Sequence, residues 1–200
     1  MPCSLSSATL SSLHCCSVET VPTSASPGGG GGIFALGMYE LNEETNLRNG
    51  AIALYNRDSL VSTRPMESGV LDMKFHNELL ACAMSSGDVE LLTYDHVAQD
   101  FAPGVVTSVS NPDEGLALSV DWSRCEGSDN MLAVSTQEGS VLVYDVLSTG
   151  LEIRSTLQNV HSLFGENIPA WITAFNPHSP MVSKICSINE LFLLYAWVVL

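Results

Sequence analysis

From Ile33 onward the apolar residues fall in short runs rich in Val, Leu, Ile, Ala and aromatics, separated by Gly, Asn, Asp and Ser. No stretch long enough for a helix keeps the period of about 3.6 residues that an amphipathic helix needs, so the chain is predicted to be all-β. The first 32 residues differ in texture: they are rich in Ser, Thr, Cys and Pro and end in Pro27 followed by Gly28 to Gly32. Five successive glycines hold no regular element and are expected to form a flexible loop.

Two segments repeat an order of features. VLDMKFHNELLACAMSSGDVELLTYD (Val70 to Asp95) and LSVDWSRCEGSDNMLAVSTQEGSVLVYDV (Leu118 to Val146) each begin with an apolar strand ending in an aromatic, Phe75 or Trp122. A turn follows, then a small-residue strand (Leu80 to Met84; Met131 to Ser135), a Gly turn (Gly87; Gly139) and a strand closing on Tyr94-Asp95 or Tyr144-Asp145. The Tyr-Asp pairs are 50 residues apart and the glycines 52, a steady period within loop variation. Weaker copies flank them: IFALGMY and AIALYN before, and Trp171 to Asn176 after, where Phe175 takes the place of Phe75 and Trp122.

Antiparallel strands joined by tight turns, each repeat closing on an aromatic plus Asp, describe WD40-type propeller blades. One blade cannot bury both faces of its sheet, so blades must stack on neighbours. The tyrosines fill the layer between blades, and Asp95 and Asp145 are placed to accept from turn amides. The alternative, a β-sandwich, has no reason to repeat strand length, turn residue and terminal aromatic together. At about 40 to 45 residues per blade, the chain encodes three blades and the opening strand of a fourth. Residues 1–32 are then the low-complexity start of the first repeat, 33–184 the propeller blades, and 185–200 (ICSINELFLLYAWVVL) an apolar tail fitting no blade. The expectation is an incomplete propeller, from a truncated or alternatively spliced product.

Charge narrows the function. Seven Lys and Arg against 22 Asp and Glu give −15, which disfavours a phosphate-tracking surface and so nucleic acid. Charged residues are 14% and apolar ones 46%, so the chain is built to pack. The first basic residue is Arg48, which leaves no positive n-region for a secretory or transit signal, and the cytoplasm is the expected compartment. The apolar run Leu191 to Leu200 is about half of what spans a bilayer, so no membrane segment is expected. The six cysteines have no metal-ligand spacing and read as reduced thiols; neither a metal nor another cofactor is expected.

The segments Gly69 to Phe75, Leu116 to Ser123, and His161 followed by Ala170-Trp171-Ile172-Thr173-Ala174-Phe175-Asn176 resemble the WD-repeat methylesterase of diphthamide biosynthesis. The Ala-Trp-Ile-x-Ala-Phe-Asn string is the most specific of them. The resemblance runs from about Ile33 to Lys184 and fails afterwards, where the family continues with a Ser-Gly-Gly-Asp-Asp type turn. It implies a seven-bladed ring, and a cytosolic hydrolase that removes a methyl ester from the modified histidine of translation elongation factor 2, its protein partner. Such a reaction needs an activated water or nucleophile, a proton acceptor and donors for the oxyanion.

The catalytic residues are not identified by any motif. No G-x-S-x-G is present, so a nucleophile elbow is not expected. His161, in the loop opening the fourth repeat, is one candidate base, against a structural role within its blade. Asp72 and Asp121, carboxylates within apolar first strands, are the others, against a role in bonding backbone amides. They are not equivalent in the repeat, since aligning Phe75 with Trp122 sets Lys74 beside Asp121. His76 and His178 read as turn residues near one rim, Asp88 as a turn acid and Cys82 as a small core residue. Two readings compete with the esterase: a non-catalytic WD scaffold that gathers partners, and an inactive truncated product.

Overall fold

A computed structural model describes residues 13–22, 32–107, 115–125, 130–160, 162–163, 166–176, 178–189 and 192–199, with side chains except at 103–107, 162–163, 179–189 and 192–199. The glycine run 28–31 and His161 lie outside the described residues. Within them every regular element is a strand.

The first sheet runs β1 (His14–Thr20), β2 (Ile33–Asn42), β3 (Leu47–Asn56) and β4 (Ser59–Met66), in that order and antiparallel throughout. The second repeats it with β5 (Val70–His76), β6 (Leu79–Met84), β7 (Val89–Asp95) and β8 (Asp100–Thr107). The third does so with β9 (Ala117–Trp122), β10 (Met131–Thr136), β11 (Val141–Leu147) and β12 (Gly150–Leu157). After a short hairpin, β13 (Ser162–Leu163) and β14 (Glu166–Asn167), a fourth sheet holds β15 (Ile172–Asn176), β16 (Ser179–Asn189) and β17 (Phe192–Val199).

The second and third blades thus have a fourth, outer strand beyond the three that the repeat comparison aligns, and the first blade adds β1, within the low-complexity start, and β4 to the two strands aligned there. The fourth blade carries more than its opening strand. β16 runs through position 184 without a break, and the apolar stretch pairs back on it, Val182 opposite Val199 and Asn189 opposite Phe192. Residues 185–189 and 192–199 are therefore strands of the fourth sheet.

The repeat is visible in hydrogen bonds. At the β6–β7 turn, the Gly87 amide donates to the Met84 carbonyl (3.0 Å) and the Met84 amide donates to the Asp88 carbonyl (3.0 Å). At β10–β11, Gly139 donates to Thr136 (3.2 Å), and the Thr136 amide donates to the Ser140 carbonyl (3.0 Å). Both glycines have positive φ, 90° and 75°, a conformation that side chains disfavour. Asp95 accepts from the Val97 and Ala98 amides at 2.7 and 3.0 Å, as expected of a strand-closing Asp. Asp145 departs from that expectation: its carboxylate pairs with Arg154 on β12 at 3.0 Å.

The core lies between sheets. Tyr94 packs with Ile52 and Leu54 of the first sheet and Met73 and Leu80 of its own. Tyr144 does the same one blade on, against Ala81, Ala83, Val89 and Leu91. The small residues of β6 let the next sheet come close, which is the physical use of the alanines there. Cys82 is fully buried in the first of these layers, and burial drives its thiol pKa far up, so it packs as an unreactive small side chain.

Gly50 marks another close approach. A Cβ there would stand 2.0 Å from the Ser68 carbonyl oxygen and 2.8 Å from the Gly69 Cα, both backbone atoms that cannot step aside. Gly50→Ala is expected to cost about 2 kcal/mol or more by forcing β3 off the link into β5. Thermal unfolding checks it, with a variant as stable as the parent counting against the packing.

Candidate functional site

The first strands of the four sheets, β1, β5, β9 and β15, lie side by side, β5 between β1 and β9, and β9 between β5 and β15. Inner strands of neighbouring blades are not joined by a backbone ladder, so side chains must satisfy polar groups across the gap. Carboxylates do this here. Asp72 on β5 accepts from the Ser17 hydroxyl (3.1 Å) and its neighbour Met73 amide (2.9 Å) on one oxygen, and from the Ser119 hydroxyl (2.9 Å) and Val120 amide (3.1 Å) on the other. One side chain therefore ties three blades. Asp121 on β9 accepts from the Phe175 amide of β15 at 2.7 Å. Glu19 on β1 bonds the Lys74 ammonium (2.6 Å) and receives the Phe75 amide (3.5 Å). The Trp122 indole closes the series by donating to the Lys74 carbonyl at 2.9 Å.

These strands wall a cavity of about 560 Å³. Asp72, Lys74, Ser119 and Asp121 contribute its polar surface with Arg48, while Leu71, Leu118, Ile172 and Trp171 make much of the rest. Its size is in the range of small-molecule sites. The structure brings two of the three sequence candidates, Asp72 and Asp121, to this one cavity. His76 and His178 sit instead at the far ends of their strands. His76 stacks on Trp122 (centroids 5.2 Å apart), and the His178 amide closes on Asn176 Oδ1 (2.9 Å). Both behave as turn residues.

The two aspartates differ in environment. Burial raises the Asp121 carboxyl pKa above the usual range, and the Phe175 amide and nearby cations only partly offset it. Such a carboxyl is a stronger base than an ordinary aspartate. Burial pulls the Lys74 ammonium down, but the Glu19 carboxylate outweighs it, so this cation stays charged and neutralised in place.

Arg48, Ser17, Ser119, Glu19 and Thr173 are the participants sequence reading missed. Ser119 stands two residues before Asp121, but no pattern in one chain says that it faces Asp72. Trp171 lay within the most specific motif, yet nothing marked its indole as 47% exposed on the cavity wall.

No family model matches the chain. Among solved structures, it resembles the β-propeller domain of Cps50 (Swd1) from Myceliophteria thermophila, with a TM-score of 0.65 over 94% of this chain and 55% of that one at 9% identity. It also resembles a chain of the mitotic checkpoint complex, with a TM-score of 0.52 over 82% and 43% at 14% identity. Three relatives match by sequence. They are the diphthine methyltransferase homolog of Dictyostelium discoideum (29% identical, 58% of this chain and 30% of that one) and the diphthine methyltransferases of Schizosaccharomyces pombe (34%; 57% and 35%) and Homo sapiens (27%; 70% and 34%). The matched segment spans about a third of each relative's length. The chain is thus a WD40-type β-propeller segment, homologous over more than half its length to proteins named diphthine methyltransferase.

Proposed function

We propose that the chain carries part of the site of a cytosolic hydrolase that cleaves the methyl ester of diphthine methyl ester on translation elongation factor 2. The observation that supports this most is Asp121, a carboxylate with its basicity raised by burial, in the wall of a cavity large enough for a modified side chain. In this reading Asp121 takes a proton from water, the resulting hydroxide adds to the ester carbonyl, and Arg48 opposes the oxyanion. Collapse expels methoxide, which Asp121 reprotonates, so ester and water become carboxylic acid and methanol. Asp72, with four donors on it, holds the strands together.

The relatives' name leaves the direction of methyl chemistry open, and methanol decides it. Methyl-esterified elongation factor 2 incubated with the chain, without any methyl donor, is expected to release methanol. Release that requires S-adenosylmethionine, or none from a chain that melts cooperatively, overturns hydrolysis. The engagement of Asp72 by hydroxyls and amides favours one rival, a scaffold that binds the factor without turnover. Binding with no methanol supports that rival.

A further inference from the structure

We infer that a groove at the C-terminal ends of the inner strands β1, β5 and β9 docks an acidic side chain of a peptide segment, its carboxylate on the Arg124 guanidinium beside His76, Asn77 and Thr20. The inference does not rest on the esterase reading, which concerns another stretch of the same strands.

Contacts between these strands rise in number together. Ser17 and Glu19 meet Asp72 and Lys74, which in turn meet Ser119 and Trp122. The three strands therefore run the same way, and their C-terminal ends share one rim. There they wall a groove of about 640 Å³ that has no wall residue in common with the cavity around Asp72 and Asp121. Thr20, Asn77 and Arg124 are exposed on it, so a chain lying across the rim can reach in, and Phe75 and Pro22 offer apolar contact to side-chain methylenes.

The charges of the groove leave one cation without an acid. Glu19 is taken by the Lys74 ammonium at 2.6 Å and the Phe75 amide at 3.5 Å, and Glu78, next to Asn77, pairs with His96 at 3.3 Å. Arg124 forms no ion pair with an acid among the described residues. Asp121 shares a small cavity of about 200 Å³ with it, but takes the Phe175 amide at 2.7 Å. A guanidinium presents a planar fork of donors that matches a carboxylate. The single charge of a carboxylate also matches the one cation present, whereas a phosphate monoester brings close to two.

The groove is more than a surface arginine, because its donors are held in place. Ser123 and Cys125, on either side of Arg124, are buried. The Ser123 amide donates to the Met131 carbonyl at 2.9 Å, and the Cys125 thiol to the Asn176 carbonyl at 3.6 Å. The His76 ring lies on Trp122, centroids 5.2 Å apart, which fixes its plane. Asn77 sits at φ 53°, in a left-handed turn that Asn tolerates better than most residues. Donors fixed beforehand lose little freedom on binding.

Titration of the 200-residue chain with three blocked tripeptides tests this. They are acetyl-Gly-Glu-Gly-amide and the same peptide with Gln or phosphoserine in place of Glu. The readout is the His76 ring C–H resonance, assigned by its loss in His76→Gln. The Glu peptide is expected to shift it and to bind about tenfold more tightly than the Gln peptide, with the phosphoserine peptide no tighter than the Glu one. Arg124 is exposed, so its variants should melt with the parent. Arg124→Gln should erase the preference for Glu, and Arg124→Lys should keep only part of it, since lysine lacks the fork. Arg154→Gln removes a positive charge on the outer strand β12 and should leave the preference intact. Equal binding of the Glu and Gln peptides, binding of neither, or tighter binding of the phosphoserine peptide overturns the inference. So does a preference that survives Arg124→Gln, or that Arg154→Gln erases equally.

Discussion

Trp122→Ala should destabilise the chain by about 3 to 5 kcal/mol, the largest loss expected of any single truncation here. Trp122 is 2% exposed and fills the layer between the second and third blades with Val120, Leu132 and Tyr144. Its indole also supplies the donor to the Lys74 carbonyl, so truncation leaves a cavity and removes a bond between inner strands. Trp122→Phe separates the two effects. It keeps most of the packing and gives up the donor, for an expected loss of about 1 to 2 kcal/mol. Denaturant titration of both variants checks the order. Equal losses would mean that the indole N–H matters as much as the whole ring, contrary to the packing argument.

Asp72→Ala is expected to cost about 2 to 4 kcal/mol, because hydrogen bonds to a charged acceptor are worth more than neutral ones and the Val120 amide and the Ser17 and Ser119 hydroxyls lose theirs together, while the Met73 amide keeps the Ser17 hydroxyl at 3.2 Å. Asparagine is not a conservative replacement. One backbone amide points at each oxygen, Met73 at one and Val120 at the other, so either orientation of an asparagine amide sets its NH₂ against a backbone N–H. Asp72→Asn should therefore fall between parent and Ala, and hydrogen exchange should quicken at Val120 before the rest of the sheet. Unchanged protection at the Val120 amide would contradict the bridging role.

The fold was legible in the sequence because the blade repeat leaves marks at fixed spacing. Phe75 and Trp122, Gly87 and Gly139, Tyr94 and Tyr144 all reflect needs that recur in each blade: an inter-blade plug, a positive-φ turn, a second plug. The outer strands were not legible. β4 reads SLVSTRPM and β12 GLEIRSTL, with polar and charged residues on the open face, so neither shows the apolar run that marks the inner strands. β17 failed for the opposite reason, since FLLYAWVV carries no turn signal or alternation that ties it to β16. At the site, a carboxylate in an apolar strand drew notice to Asp72 and Asp121, and both line the inner-strand cavity. What they bond is set by neighbours 45 to 55 positions away, Ser17, Ser119 and Phe175, and a single chain gives no register between blades. His161 lies outside the described residues and stays a candidate on sequence grounds alone.

The most direct test of the account is the pH dependence of methanol release by the chain and by Asp121→Asn, each first shown to melt cooperatively. A general base works when ionised, so the rate should rise with pH through the Asp121 carboxyl pKa. Because burial raises that pKa, the half-maximum should lie above the 3.8 of an ordinary aspartate. Asp121→Asn can still accept from the Phe175 amide, and should fold with the parent while losing about 100-fold or more in rate together with the acid limb. A folded Asp121→Asn chain with the parent's rate and pH profile would contradict the account, and would leave the inner-strand carboxylates as struts between blades.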